Sequence, residues 1–502
     1  METKKEAFVP SFLQKPEPIT DIKEVKEYDI VVIGAGTPGI PCALKAAEDG
    51  AKVALIQKEE TISACGNGGA GIILEESDPE AVEAAISEVI KTSDYRAKRE
   101  RVETWAYHSG EACKWLFDHV KKAGGPGMDL GNPPQQEFLD AIHNPRLKFI
   151  TTYFGPKPFN VISALMAIMP TLEKAGVDVF YKTPAEQLVM EDGRCVGVIA
   201  KTDDGYVEFR AKYGVVVGTG DYQNDPEMLD YYLPDMVNFE TKKFGRTGDG
   251  HKMISWAGGH IENLGHTKMC HDFDAGPANM MNLPFMRVKL DGRRFCDETI
   301  HMEYMNCFLT GAKDTGHYCQ IFDINYLDYA KEFGTTAAAW KELVNYMPEQ
   351  KVAKREGVVV PLINTWQADT LEELAAKLGI HDVEAFKEQV ARYNEFAKSG
   401  KDLEFGVDAK YLKPIDTPPF FGIHRHIRLT MACSGVDVNG DLQCLDTKGE
   451  PIPGLYAIGN TAGNFYGSVD YPLDIFGLNL GHNYTDGYVV GKNLAAMKNG
   501  EK

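Results

Sequence analysis

Tyr28-Asp-Ile-Val-Val-Ile-Gly34-Ala35-Gly36-Thr-Pro38-Gly39 is the stretch that decides the fold of this chain. The run Tyr28–Ile33 reads as a short buried strand, and the glycines behind it stand in the GxGxxG spacing. Gly34 permits the tight turn, Gly36 lets a pyrophosphate approach the backbone, and Gly39 lets helix and strand pack closely. The alanine-rich text to about Asp49 predicts a helix whose N-terminus faces that negative charge, and Lys52–Gln57 predicts the next strand, closing one βαβ unit. Pro38 and Pro41 fall in the first turn, where their missing N–H groups cost little. An acidic residue for the ribose hydroxyls belongs roughly 20 positions after the glycines. Gln57 and Lys58 stand there instead, so any ribose bond from Gln57 lacks charge assistance.

Outward from this unit, helical patterns are predicted at 79–93 and 98–122, and strands at Val177–Tyr181, Cys195–Lys201 and Gly214–Gly218. The middle third changes to a mixture of Met, aromatic and charged residues with long helices predicted at 337–346 and 371–399, which suggests an inserted domain. Strand-like and glycine-rich text then returns with Gly454-Leu-Tyr-Ala-Ile-Gly459, and a final helix is predicted at 478–497. The expected organisation is a polar arm 1–26, a first domain part 27–271, an insertion 272–425 and a completing part 426–502.

A net charge of −20 repels nucleic-acid phosphates and anionic membrane faces, which makes nucleic-acid binding a poor expectation. The opening residues hold no apolar core of a signal peptide, and no later run approaches the roughly 20 apolar residues of a membrane span, so the cytoplasm is the expected address. The ten cysteines are scattered without CxxC or CxxCH, which argues against zinc, iron–sulfur and c-type haem sites and for reduced, structural thiols. No metal is expected.

Six further segments, taken in order, carry a family resemblance. They are Cys65-Gly66-Asn-Gly-Gly69-Ala70-Gly71, Thr183-Pro-Ala185, Gly218-Thr219-Gly220-Asp221, Gly248-Asp249-Gly250, Gly292-Arg-Arg-Phe-Cys-Asp-Glu298 and Pro453-Gly-Leu-Tyr-Ala-Ile-Gly459-Asn460. From about residue 27 the chain resembles the FAD-binding flavoproteins that include fumarate reductase, the succinate dehydrogenase flavoprotein, urocanate reductase and 3-ketosteroid dehydrogenase. The resemblance implies an α/β fold: a Rossmann-type, glutathione-reductase-like FAD-binding domain interrupted by an α+β capping domain. It also implies non-covalent FAD, with the pyrophosphate at Gly34–Gly39, the glycine loop 65–71 beside the flavin, and Ala185 on the adenine side. The ribitol would lie near Asn460, and the flavin's pyrimidine edge at Gly477-Leu478-Asn479-Leu480, where unpaired N–H groups and the helix dipole can stabilise reduced flavin.

The fumarate reductase branch clamps a dicarboxylate with arginines and histidine. Here the corresponding text reads Glu298-Thr-Ile-His301-Met302, Ile427–Ala432 and Asp470, which makes fumarate an unsuitable substrate. The segment Gly459–Pro472 is more similar to the ketosteroid dehydrogenase ending, whose Tyr-Pro pair implies that Tyr471 places a phenol by a substrate carbonyl. Asp470 can orient that donor or cap a turn. His301, Tyr304 and Arg428 come from segments that face the flavin in the family, and are candidates for proton transfer or carbonyl polarisation. His424 and His426 fall on one face of a strand; a metal pair is conceivable, but no third ligand is evident. The expected function is an ene-reductase that moves hydride from reduced FAD to an activated C=C of a cyclic or aromatic, enone-like molecule of phenylpropanoid, isoflavonoid or steroid type. The alternatives are a desaturating dehydrogenase and a non-catalytic electron relay. A separate electron donor, NAD(P)H-linked or a reduced flavin, is an expected partner.

Overall fold

A computed structural model describes residues 9–132, 136–143, 146–156, 159–242, 245–262, 266–271, 276–311, 313–355, 358, 363–472 and 474–500. The chain forms two compact units. One gathers the described residues of 1–234, 243–268 and 431–502, and the other those of 235–242 and 269–430. The insertion drawn at 272–425 lies within the second unit, although residues 272–275 fall outside the described ones. The earlier segment joins that unit because Thr241 bridges Leu429 and the Lys242 N–H donates to the Leu429 carbonyl at 2.8 Å.

The first unit is built on β1 (Ile22–Ile33), α1 (Gly39–Glu48) and β2 (Val53–Ile56). The sheet runs in the order Gln443–Leu445, Pro451–Ala457, Gly205–Val217, β1, β2, Asp178–Phe180; along this path the pair at the first edge is antiparallel and the other neighbours are parallel, while Ala185–Glu191 and Arg194–Thr202 join beside Gly205–Val217 in antiparallel pairs. Ile30, Val31 and Val32 are fully buried, as an apolar strand covered on both faces requires. Two expectations fail at the near end of this sheet. β1 begins at Ile22, inside the expected arm 1–26, because residues 22–28 pair in parallel with Tyr206–Ala211. The strand predicted at Gly214–Gly218 likewise starts at Gly205, extended by an antiparallel ladder with Arg194–Thr202.

The second unit holds a four-stranded antiparallel sheet in the order Met286–Val288, His317–Asp323, Phe420–His426, Thr365–Ala368. Leu374, Leu378, Phe386 and Val390 from the helices Leu371–Leu378 and Val383–Ser399 share one core with Met286, Val288, Cys319 and Ile321. The single helix predicted at 371–399 is therefore two: Gly379 turns left-handed at φ +75°, the Ile380 N–H closes back on the Ala375 carbonyl, and Asp382 caps the second helix through the Ala385 N–H. The helix predicted at 337–346 shrinks to Trp340–Leu343 and a following 3₁₀ turn. Tertiary bonds occupy the preceding backbone: the Ala338 N–H donates to the Met280 sulfur, and the Ala338 carbonyl accepts from the Tyr326 hydroxyl.

The GxRFxxE segment forms a buried brace in this unit. Arg294 donates two bonds each to Glu298 (2.8 and 2.7 Å) and Asp402 (3.1 and 2.9 Å) and one to Glu404, while its guanidinium lies 5.0 Å from the ring centres of both Tyr393 and Phe405. The pair His424 and His426 gains a neighbour from the adjacent strand. The His317 Nδ1 lies 2.9 Å from His424 Nε2, and the His317 ring stacks on His426 at 3.8 Å. No group of three His, Cys, Asp or Glu side chains placed to hold a metal ion occurs among the described residues. No helix among them is long and apolar enough to cross a membrane.

Candidate active site

In the first unit the glycine turn and its neighbours line a cleft. Gly34 sits at φ +104°, and a Cβ on it would lie 2.4 Å from the Gly218 carbonyl oxygen. A Cβ on Gly39 would lie 1.9 Å from the Gly34 carbonyl oxygen. Only glycine permits this turn, which opens the N-terminus of α1 onto the cleft where an anion is favoured.

Of the residues expected around a cofactor, Gly34, Ala35, Gly36, Pro38, Gln57, Lys58, Ala185, Thr219, Gly220, Asp249 and Asn460 line this cleft. Gln57, Lys58 and Asp249 are already engaged by the protein, as is Asp221, which does not line the cleft. The Gln57 amide donates to the Thr61 carbonyl and accepts from the Lys58 N–H, so its side chain closes its own loop. The Lys58 ammonium donates to Thr247 (2.9 Å) and to Asp249 (2.8 Å), which neutralises both charges. Asp221 is buried, and its carboxylate points inward to the Gln223 N–H and amide.

Sequence reasoning missed Glu59, Ser63, Arg246 and Asn483 on the same lining. Glu59 stands two residues beyond the expected acidic position. Gly245, at φ +74°, makes room for its carboxylate, since a Cβ there would meet Glu59 Oε1 at 2.5 Å. Arg246 lies over Gly220, whose φ of +80° and missing side chain clear a place for the guanidinium. Asn483 Oδ1 is buried without a hydrogen bond. An acidic residue just past the strand end was the available signal for Glu59. Arg246 and Asn483 come from distant segments and gave none. We expect Glu59→Ala to weaken FAD binding about tenfold, as loss of one charge-assisted bond would, read by fluorescence titration of the apoprotein.

The second glycine segment is packed against the C-terminal helix, Leu478–Asn499. The strand Gly68–Ile72 meets its start through the Ala70 N–H, which donates to the Gly477 carbonyl at 3.0 Å. A Cβ on Gly481 would lie 2.0 Å from the Ala70 carbonyl, and one on Gly69 would strike the Tyr484 ring. Gly66 faces Leu480, Gly71 meets the Ser109 carbonyl, and Cys65 is half-buried at the head of this segment. The same helix reaches back to the nucleotide turn, because Gly487 packs on the Pro38 carbonyl; Gly459, ahead of the helix, packs on the Pro38 ring.

Polar groups line the buried side of this helix. Arg101, fully buried, forms a forked pair with Asp486, whose second oxygen also accepts the Gly459 N–H at 3.0 Å. Asn483 donates to Asn479 (3.2 Å), and Asn479 donates to Asn460 (3.0 Å). The Tyr471 hydroxyl accepts the Asn479 N–H at 3.1 Å, so among the N–H groups expected to be unpaired near 477–480 that of Asn479 is paired within the protein. Tyr471 is 4 % exposed and burial pushes its pKa up, while the neighbouring Asp470, also buried, accepts the Tyr471 N–H. Tyr466, beside it at 5.3 Å between ring centres, has a buried hydroxyl without a hydrogen bond; sequence reasoning did not single it out.

His301, Tyr304 and Arg428 belong to the second unit. His301 and Tyr304 are exposed, with His301 Nδ1 3.7 Å from Glu303, and Arg428 is half-buried. The five catalytic candidates thus belong to two units, Asp470 and Tyr471 to the first and the other three to the second. Elsewhere in this unit, burial holds His251 and His266 down to about 4 and pushes Glu262 up to about 7, while the Tyr222 hydroxyl bonds His266.

The glycine turn, the helix N-terminus, the Arg246 guanidinium and the orphaned Asn483 oxygen fit a dinucleotide whose pyrophosphate and polar ring edge need those partners. The chain belongs to the FAD binding domain family, which matches residues 29–470. It is an FAD-dependent oxidoreductase of the fumarate reductase and succinate dehydrogenase flavoprotein group. It is 25 % identical to vinyl phenol reductase of Lactiplantibacillus plantarum over 93 % of this chain and 96 % of that one. To urocanate reductase of Eggerthella lenta it is 26 % identical, over 98 % and 77 % of the two chains. Among solved structures it resembles the open conformation of a flavocytochrome c3 fumarate reductase, with a TM-score of 0.72 and 22 % identity over 95 % of this chain and 79 % of that one.

Proposed function

We propose that this protein reduces the carbon–carbon double bond of an aromatic or cyclic, enone-like small molecule of phenylpropanoid, isoflavonoid or steroid type. Bound FAD supplies the hydride. The observation that carries the substrate class is Phe476, 47 % exposed at the start of the C-terminal helix, with its ring laid on Gly68 and the exposed Val469 nearby in sequence. An apolar platform of this kind stacks a planar ring and gives a dicarboxylate no counter-charge. The replacements at His301, Met302 and Asp470 point the same way, and the relationship to vinyl phenol reductase supports the choice.

The protein's own groups do the rest. His301 and Tyr304 are exposed and serve as the proton donors to a small molecule, whereas Tyr471 and Asp470 are buried. We assign Tyr471 a positioning role, since its hydroxyl holds the first turn of the helix through Asn479. The electron donor is a separate NAD(P)H-linked protein or a reduced flavin. The reverse, desaturating direction uses the same groups with His301 or Tyr304 as base.

The test mixes anaerobically reduced holoprotein with 4-vinylphenol, hydroxycinnamates, cyclic enones and fumarate, and follows the return of oxidised flavin absorbance. Rapid reoxidation by an aromatic or cyclic alkene, with fumarate inert, is the expected result. Reoxidation by fumarate alone would overturn the substrate class. Inertness to every alkene would favour an electron relay.

A further inference from the structure

The C-terminal helix carries a buried histidine that the proposed reaction does not use. His482 is 1 % exposed, its ring stacked on Phe465 at 4.6 Å. Its Nδ1 lies 3.5 Å from Asp486 Oδ2, and its Nε2 lies 3.5 Å from the Asn479 amide nitrogen. Asn479 passes the contact on to Asn460, which lines the cofactor cleft. A line of side chains thus runs from the cleft to an imidazole enclosed in protein.

The charged groups facing His482 are Asp486 on its own helix and Arg101 on the helix Arg99–Lys122; the phenol of Tyr466 stands on the segment packed beside it, and that of Tyr471 lies beyond Asn479. The Asp486 carboxylate is held ionised by Arg101 and His482 despite its burial, and the Gly459 N–H also binds it, so it takes up no proton. Burial keeps the imidazole neutral at rest. In that state Nδ1–H faces Asp486 and Nε2 accepts from Asn479, which fixes the Asn479 amide with its NH₂ towards both His482 and Asn460.

We propose that His482 is the redox-linked proton acceptor of this protein, taking up a proton when the cofactor is reduced and reporting that change to the cleft through Asn479 and Asn460. This rests on the reading that the flavin ring lies at the start of the C-terminal helix. Reduction by dithionite, a low-potential reductant, brings two electrons and one proton to the bound flavin and leaves it with one added negative charge. A second proton passes from water to His482 Nε2, so the buried charge stays balanced. In a poorly screened interior an added charge acts strongly on a nearby imidazole. Once Nε2 carries a proton it must donate, so the Asn479 amide turns its oxygen to the ring and offers an acceptor instead of a donor to Asn460.

Proton uptake by holoprotein in weak buffer near pH 8, about 1.5 units above the ordinary histidine value, is read with an indicator dye during anaerobic titration with dithionite, after subtracting the protons that dithionite itself releases on oxidation to sulfite. Two protons per FAD are expected for the native chain and one for His482→Gln; equal counts would overturn the proposal. Should that variant fail to fold, His482→Asn serves the same comparison. On the native chain labelled with ¹⁵N-histidine, one buried imidazole is expected to move to the doubly protonated shift on reduction, and an unmoved spectrum would sink the idea. Asn460→Asp tests the underlying placement separately. A shifted oxidised-flavin spectrum supports it, while an unchanged one removes the placement and the proposal together.

Discussion

Gly39→Ala is expected to yield a protein that loses its yellow cofactor on gel filtration, with FAD affinity reduced by at least about 100-fold, or roughly 2.7 kcal/mol. The added methyl would stand 1.9 Å from the Gly34 carbonyl oxygen and 3.5 Å from Val32. The first of these contacts is backbone, so no side-chain rotation relieves it, and overpacking of this kind displaces whatever carries the smaller load. Here that is the turn between β1 and α1, because β1 is locked between β2 and Gly205–Val217 by parallel ladders. The helix N-terminus would move away from the pyrophosphate position while the sheet stays intact. Far-ultraviolet circular dichroism close to that of the native chain, together with lost flavin absorbance, is the expected pair of readings. Retention of stoichiometric FAD would show that the turn does not hold the pyrophosphate.

Arg294→Ala is expected to destabilise the second unit by about 3–5 kcal/mol, the usual cost of removing one partner from a buried ion pair. Arg294 and the side chains of Glu298 and Asp402 are fully buried, with Glu404 at the edge. Without the guanidinium, the buried carboxylates either remain charged in a poorly solvated place or take up protons. The aromatic sandwich of Tyr393 and Phe405 loses its filling as well. Arg294→Lys should recover only part of the loss, because one ammonium cannot reproduce the forked bonds. The measurement is the rate of limited proteolysis within 269–430, alongside the melting temperature. A variant as resistant as the native chain would show that the brace contributes little.

The sequence made legible those features that depend on local pattern. The buried strand before the glycines, the helix Arg99–Lys122 and the C-terminal helix announce themselves through periodicity and turn chemistry. What stayed hidden depends on residues distant along the chain. Arg101 and Asp486 are 385 positions apart, and each alone reads as an ordinary helix-surface charge. Arg246 gives no hint of lying over Gly220, and Glu59 is displaced from its usual place by two residues. The GxRFxxE motif marks the family correctly, but its arginine and glutamate turn out to hold the second unit together. Tyr471 was singled out for its Tyr-Pro pair, and only the fold reveals that the helix start already occupies its hydroxyl.

The close approach of the C-terminal helix to α1, through Gly487 on the Pro38 carbonyl and Gly491 on the Cys42 carbonyl, bears on biosynthesis. A nascent chain that has just emerged through Val217 owns the nucleotide turn and most of the sheet, yet lacks the wall supplied by Pro451–Asn460 and the helix behind it. Cofactor capture must therefore wait until translation has passed residue 490 or so. Before that moment the face of α1 around Cys42 and Ala46 and the strand Gly68–Ile72 stand bare, and limiting FAD in the growing cell would leave the newborn polypeptide exposed to quality control.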